Sequence, residues 1–426
     1  MGTRIKNVHL LNEENSVRRD VYIEGTRIMG IDQMPEDFTA DLTIDGTGRL
    51  LMPGLINCHT HAYMSVFRNY ADDLPFDEWL FRRITPLEDK LTAEQAYWGN
   101  ILSIAEMIRT GTTCFIDMQM FPKMAVKACA DTGMRAVITR GLVGKDRNDE
   151  GGIRRLKEAF DEMEYGRNEP AANVTFALGP HAIYTCGQDY LEYVAGLAKE
   201  KGLSLNIHCS ETQYEYDTCL KEHGMTPTAY LNSLHFFDVP VILAHCVYLD
   251  DGDFELLKNP NVSVALNPAS NMKLANGFPP AARMMKEGIN VCLGTDGASS
   301  NNSLNMFQEM RLLSLSQKGA AKDSLVLTAD ETLKIAIENG CRAAGLESKL
   351  GKIEKGRTAD LILLDENAPN FQPHHHFPSA LVYSSTGCEV TDVLIGGKVV
   401  MKDRSLTTID EERMSYEIQK VIDTFG

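Results

Sequence analysis

His59-Thr60-His61 places two imidazoles two residues apart, and on a strand that spacing turns both rings to one face, where they can chelate a single ion. Further along come His181, His208 with Glu211 three residues on, His245 and Asp296. A lone buried histidine such as His208 or His245 reads most simply as a hydrogen-bonded core residue. That plain reading weakens if the fold gathers several of them with a carboxylate at one place, where the set reads as a metal site. Three imidazoles and a carboxylate suit Zn²⁺, with Fe²⁺, Mn²⁺ or Ni²⁺ as other divalent occupants, and leave room for a water. A metal of this kind lowers the pKa of bound water toward ~7 and supplies a nucleophile at neutral pH. Glu211 is either a surface-loop carboxylate or a proton shuttle between that water and a substrate.

The elements that must position these residues follow from the apolar pattern. Eight short runs rich in Val, Ile, Leu or Phe read as strands buried on both faces: Gly54–Asn57, Thr112–Asp117, Arg135–Arg140, Val174–Gly179, Leu203–His208, Pro240–His245, Val262–Asn267 and Asn290–Thr295. Helical patterns lie between them, as in Thr92–Arg109 behind a Thr cap, Asp189–Lys201 and Asn301–Gln317. The alternation predicts an α/β fold with a (β/α)8 TIM-like barrel, whose chemistry sits at the C-terminal ends of the strands. Those ends carry His59, His61, Arg140, His181, His208, Glu211, His245 and Asp296, including five of the 11 His.

Both chain ends are β-rich. Arg4–Leu10, Asp20–Ile23 and Arg27–Ile31 open the sequence, while Asp360–Leu364 and a Val390–Met401 hairpin turning at Gly396-Gly397 close it. Unpaired sheet edges need partners, so the expectation is a small β-sandwich domain from residues 1–50 plus 355–426, with residues 51–354 forming the barrel.

The 426 residues carry 42 Lys+Arg against 59 Asp+Glu, a net charge of −17, which disfavours nucleic acid and anionic membranes as partners. The amino terminus has no apolar signal core, Lys6 stands where a myristoylation signal wants Ser or Thr, and no apolar run approaches the ~20 residues of a membrane helix. Ten Cys without a C-x-x-C pair read as reduced thiols of a cytoplasmic protein. His374-His375-His376 reads as a solvated loop.

Five motifs carry a likeness: P-G-L-I-N-C-H-T-H (Pro53–His61), I-H-C-S-E-T (Ile207–Thr212), A-H-C-V (Ala244–Val247), N-P-A-S-N-M-K-L (Asn267–Leu274) and L-G-T-D-G-A-S-S-N-N (Leu293–Asn302). In this order they resemble the amidohydrolase superfamily, in particular the branch of the 5′-methylthioadenosine/S-adenosylhomocysteine deaminases and triazine hydrolases, over nearly the whole chain. The resemblance implies one divalent metal, most simply zinc, on His59, His61, His208 and Asp296. It gives His245 and Asp296 the deprotonation of the nucleophile and Glu211 the protonation of the purine ring nitrogen. It puts Glu88, Arg140, His181, Trp79 and Ser300 on the substrate, together with Arg154, which stands one place off the family pattern. Ile183 replaces a proline usual after G-P-H. Binuclear relatives carry a lysine where this chain has His181, which favours one metal.

The plain alternatives are that Glu88 caps the helix starting near Thr92, that Arg140 pairs with a strand-end carboxylate such as Asp117, and that Trp79 is core. The implied activity is zinc-dependent hydrolytic deamination of a 6-aminopurine nucleoside, releasing ammonia. The alternatives are triazine-type or guanine-type chemistry on another heterocycle, or a non-catalytic barrel. A homodimer or tetramer is implied by the resemblance alone.

Overall fold

The computed structural model describes residues 1–11, 13–14 and 16–425. The chain opens with β1 (Gly2–Leu10), β2 (Arg19–Glu24), β3 (Arg27–Ile31), β4 (Leu42–Asp45) and β5 (Arg49–Pro53). The central strands are β6 (Leu55–Thr60), β7 (Thr112–Gln119), β8 (Arg135–Leu142), β9 (Asn173–Pro180), β10 (Ser204–Cys209), β11 (Val241–His245), β12 (Val262–Leu266) and β13 (Asn290–Leu293). The chain closes through β14 (Leu361–Asp365), β15 (Val390–Ile395), β16 (Lys398–Lys402) and β17 (Ser405–Leu406).

β6 to β13 pair in sequence order, all parallel. β6, β7, β11, β12 and β13 are buried at every position, as a sheet covered by helices outside and filled by side chains inside requires. Among the described residues no ladder pairs β13 with β6. Residues just past β13 close the barrel instead: the N–H groups of Thr295 and Asp296 donate to His59 O at 3.2 and 2.9 Å. Buried Asn57 reinforces the seam, accepting the Thr295 N–H (3.1 Å) and donating to Thr295 Oγ1 (2.7 Å). The residue that closes the barrel is thus attached to the residues that carry its chemistry.

Two anticipated helices form as expected. Thr92 and Gln95 make a reciprocal capping box at the start of Ala93–Arg109, and Gln188–Lys201 ends on left-handed Gly202. The third begins at Met306 rather than Asn301, because the Asn301 amide is spent on Thr295 O (2.6 Å) and Glu309 Oε1 (2.8 Å), holding 301–305 as a loop.

Both ends of the chain build one mixed nine-stranded sheet. β5 runs antiparallel to β14 over five residue pairs, from Pro53↔Leu361 to Arg49↔Asp365. β1 joins the halves, pairing with β2 and β4 along its first part and with β5 at His9 and Leu10. Ile5, Val21, Ile23, Leu51, Leu361 and Leu394 share one core there. Gly396 and Gly397 both take positive φ (56° and 74°), the conformation a two-residue hairpin turn needs. A single residue, Gly54, separates β5 from β6, and a Cβ there would lie 2.1–2.6 Å from the Thr113 side chain. A C-terminal helix, Glu411–Ile422, packs on Ala93–Arg109 with an Arg109–Glu411 ion pair at 2.6 Å. Among the described residues no helix is long and apolar enough to cross a membrane.

Candidate active site

The ends of β6, β10, β11 and β13 bring His59, His61, His208, His245 and Asp296 to one point. The His61 Nδ1–H donates to Met118 O (3.0 Å) and the His208 Nδ1–H to His181 O (2.7 Å). A carbonyl can only accept, so both Nε2 atoms are left as bare lone pairs, yet they lie 3.3 Å apart. His59 is fully buried, and neither ring nitrogen has a hydrogen-bond partner among the described residues. Asp296 Oδ1 is 3.6 Å from His59 Nε2 and 3.5 Å from His61 Nε2. Lone pairs and a carboxylate converging in this way fit a divalent metal, and the carbonyl partners of His61 and His208 hold the ring tautomers a metal requires. Ligand atoms of His59, His61 and Asp296 lie within 4.8 Å of one another, as do those of His59, His208 and His245, so His245 is also close enough to contribute.

Burial, with neighbouring imidazoles adding to it, holds His59 well below the ordinary imidazole value, although Asp296 pulls the other way; His208 is lowered by the same two causes. Burial opposes ionisation of Asp296, but the facing imidazoles and the Ser270 hydroxyl outweigh it, so its pKa is lowered. Ser270 Oγ (2.7 Å) and Ser300 Oγ (2.9 Å) donate to its Oδ2, and the Gly297 N–H to its Oδ1 (2.7 Å). His245 and Asp296 both adopt left-handed backbone (φ 78° and 62°), uncommon for such residues and held here by these surrounding contacts. Gly294 in L-G-T-D is small because a Cβ would meet Asn267 Oδ1 at 2.5 Å and His59 N at 2.7 Å.

Beside this group sit the proton-handling residues. His245 Nδ1 lies 2.8 Å from Asn271 Oδ1 and 3.3 Å from Asn267 Nδ2; with the shorter contact as the Nδ1–H···O bond, Nε2 is left as an acceptor 3.9 Å from Glu211 Oε2. Glu211 Oε1 accepts from Asn276 Nδ2 (3.1 Å), and the Glu211 N–H donates to Glu215 Oε2 (2.8 Å). Burial, helped by the charge of Asp296, pushes the Glu211 carboxyl up to about 8, and burial pushes Glu215 up to about 7.

Above this floor opens a cavity of about 300 Å³ lined by Trp79, Glu88, Arg140, His181 and Ser300 together with His61, His208, Glu211, His245 and Asp296. Trp79 is buried and still forms cavity wall, its indole N–H donating to Ser299 O (3.2 Å). Glu88 does not cap the following helix, which Thr92 caps; it accepts from the Tyr63 hydroxyl. Arg140 pairs with Glu158 (3.1 Å), not with Asp117, which accepts from Ala62 N–H and the Gln119 amide. His181 Nδ1 meets Thr185 Oγ1 at 3.1 Å. Ile183 packs against the barrel core rather than on the cavity.

Arg154 does not reach the cavity. It lies exposed on the helix Glu150–Arg167 and faces Glu158 at 3.7 Å; the next residue, Arg155, lines the cavity and donates to Val143 O (3.1 Å). A step of one residue turns a helix by about 100°, so the offset in the motif carries the guanidinium from the cavity face round to an exposed one. Sequence reasoning also passed over Tyr63, Ser270, Asn271 and Asn276. The signal for Ser270 and Asn271 was the polarity of N-P-A-S-N immediately after the buried strand β12; Asn276, five residues beyond that run, carried none. His376 bonds Ser379 (2.8 Å), and the histidine run stays outside both metal groups.

The amidohydrolase family model matches residues 50–400. A 5-methylthioadenosine/S-adenosylhomocysteine deaminase of Caldanaerobacter subterraneus subsp. tengcongensis is 44% identical over 423 residues, 99% of this chain and 98% of its own. Another, from Thermoanaerobacter pseudethanolicus, is 42% identical over 424 residues, with the same two coverages. An adenosine deaminase from Xanthomonas campestris with bound zinc superposes with a TM-score of 0.92 at 31% identity, covering 99% of this chain and 98% of its own. The atrazine chlorohydrolase from Arthrobacter aurescens TC1, complexed with zinc, shares the fold at a TM-score of 0.89 and 22% identity, covering 99% and 100%. Matched along nearly its whole length, with His59, His61, His208 and Asp296 converging at the strand ends, this chain belongs to the amidohydrolase family.

Proposed function

We propose that the protein is a hydrolytic deaminase of 6-aminopurine nucleosides, acting on 5′-methylthioadenosine and S-adenosylhomocysteine, with 5′-deoxyadenosine and adenosine in the same class. The observation that carries this is a buried carboxyl, Glu211, on the cavity floor that also holds the histidines and Asp296, 3.9 Å from His245 Nε2 and with burial pushing its pKa up to about 8. Full-length relatives at 42–44% identity that bear this activity in their names support it. The barrel, taken as residues 51–354, carries the site, and residues 1–50 with 355–426 form the smaller β domain.

His59, His61, His208 and Asp296 would hold one divalent metal, zinc in this reading. When bound, such a metal supplies acidification of water toward a pKa of ~7. Water adds to C6 of the purine as Glu211 passes its proton to N1. His245, with Nδ1–H fixed on Asn271, has Nε2 free to take a proton from the incoming water, and ionised Asp296 is a second acceptor. The proton taken up by His245 passes to the C6 amine, which leaves as ammonia as the tetrahedral carbon collapses, and the proton of the C6 hydroxyl returns to Glu211, leaving the inosine-type product with its N1–H. Glu88, Arg140 and His181 provide acceptors and donors suited to ribose hydroxyls, Trp79 an apolar wall, Ser300 a hydroxyl near the base, and Arg155 a second guanidinium in the place foreseen for Arg154.

Incubating the protein with these four nucleosides, and separately with a chlorinated triazine, tests the reading. Ammonia release from the nucleosides is expected. Triazine turnover with the nucleosides untouched overturns it.

A further inference from the structure

Beyond the hold of Asn271 on His245, the N-P-A-S-N-M-K-L run and the two residues after it touch three of the side chains placed in the chemistry. From the end of β12, Asn267, Ser270, Asn271 and Asn276 are all buried. Ser270 Oγ donates to Asp296 Oδ2, Asn271 Oδ1 accepts the His245 Nδ1–H, and Asn276 Nδ2 donates to Glu211 Oε1 at 3.1 Å. Asp296, His245 and Glu211 follow three different strands, and this one segment meets all of them.

The segment is itself anchored. The Asn276 N–H donates to Asn271 O (2.8 Å), and Asn276 O accepts from the Tyr248 hydroxyl (2.5 Å). The Ala269 N–H donates to Glu309 Oε2 (3.0 Å), whose other oxygen takes the Asn301 amide.

The chemical consequence lies at Glu211. A carboxylic acid carries its proton on one oxygen, and an oxygen that already accepts an N–H cannot also direct an O–H at the same donor. With Asn276 Nδ2 on Oε1, the proton belongs on Oε2, the oxygen that faces His245. We propose that Asn276 is a positioning residue that fixes Oε2 as the proton-carrying oxygen of Glu211, within a segment that aligns Glu211, His245 and Asp296 as one unit. The inference rests on Glu211 being the proton donor of the proposed deamination.

Asn276→Leu keeps the approximate volume and removes the donor. The expected result is a fall in kcat of about 10- to 100-fold with KM within about twofold, the loss of one hydrogen bond that matters in the reacting state. Metal content and thermal midpoint are expected to match the parent, which a merely structural role would not allow. Asn276→Met, which also lacks a donor, carries the same expectation and serves if Asn276→Leu does not fold. Parental kcat in either variant, or a fall in kcat matched by lost metal, overturns the role of Asn276. Ammonia release by the parent is measured first: no release from any nucleoside overturns the proposed function, whereas an active parent with an equally active variant overturns only this inference.

Discussion

Asp296 and Glu211 share one cavity floor, and their surroundings drive their pKa values in opposite directions. Asp296 is surrounded by imidazoles, two hydroxyls and a backbone N–H and keeps its charge; Glu211, with one amide donor, is pushed up to about 8 by burial. Two titratable groups driven apart in this way are suited to acting as base and acid in the same reaction. Glu211→Gln preserves shape and removes the transferable proton, so turnover is expected to drop by about 10²–10⁴-fold while bound metal, measured by elemental analysis, stays at one equivalent. Near-parental turnover would remove Glu211 from the chemistry. The arginines offer a second test. Arg155→Ala is expected to raise KM several-fold and Arg154→Ala to leave kinetics unchanged, since only the first lines the cavity; the reverse pattern would restore Arg154. At this scale the convergence of His and Asp was legible because several of them fall together at the ends of barrel strands, where each alone would read as a core residue. Arg155 was not, because helix phase decides it, and Asn271 and Asn276 were not, because they act on other side chains across space.

Among the elements, the eight barrel strands were readable because each is a run of apolar residues with polar ends. β4, four residues with only Ile44 buried, presents too little apolar pattern to be read, and the C-terminal helix Glu411–Ile422, though amphipathic, was passed over. The helix Met306–Ala321 holds the most telling buried charge. Glu309 accepts from Ala269 N–H and the Asn301 amide, tying the loops after β12 and β13, and burial pushes its carboxyl from 4.5 up to about 8. Between those values the folded protein holds a proton that the unfolded chain releases. This contribution to stability is therefore full below about 4.5 and is lost as pH rises through about 8. Glu309→Gln is expected to flatten that part of the pH dependence, measured by urea unfolding at about pH 5 and about pH 8.5. An unchanged slope would mean that Glu309 is ionised in the folded state.

Across the whole molecule, barrel and terminal sheet meet at the end of the barrel away from the cavity. Asp360, buried just before β14, accepts Arg135 Nε (2.7 Å) and Nη2 (3.1 Å) from the start of β8 and the Gly396 N–H (2.6 Å) from the hairpin turn. Asp360→Ala leaves that guanidinium unpaired in a buried setting and is expected to cost about 3 kcal/mol in urea unfolding while kcat is unchanged, because Arg140 and the cavity lie at the far end of β8. A fall in kcat without destabilisation would contradict that separation. The joining of both termini in one sheet also has a consequence during synthesis. β5 leaves the ribosome with an apolar edge, Leu50, Leu51 and Met52, and its partner β14 follows only after some 300 further residues. At roughly 5–20 residues per second that is about a quarter of a minute to a minute. Through that interval the apolar residues of β5 wait for their partner strand while the barrel that follows Gly54 is still being made.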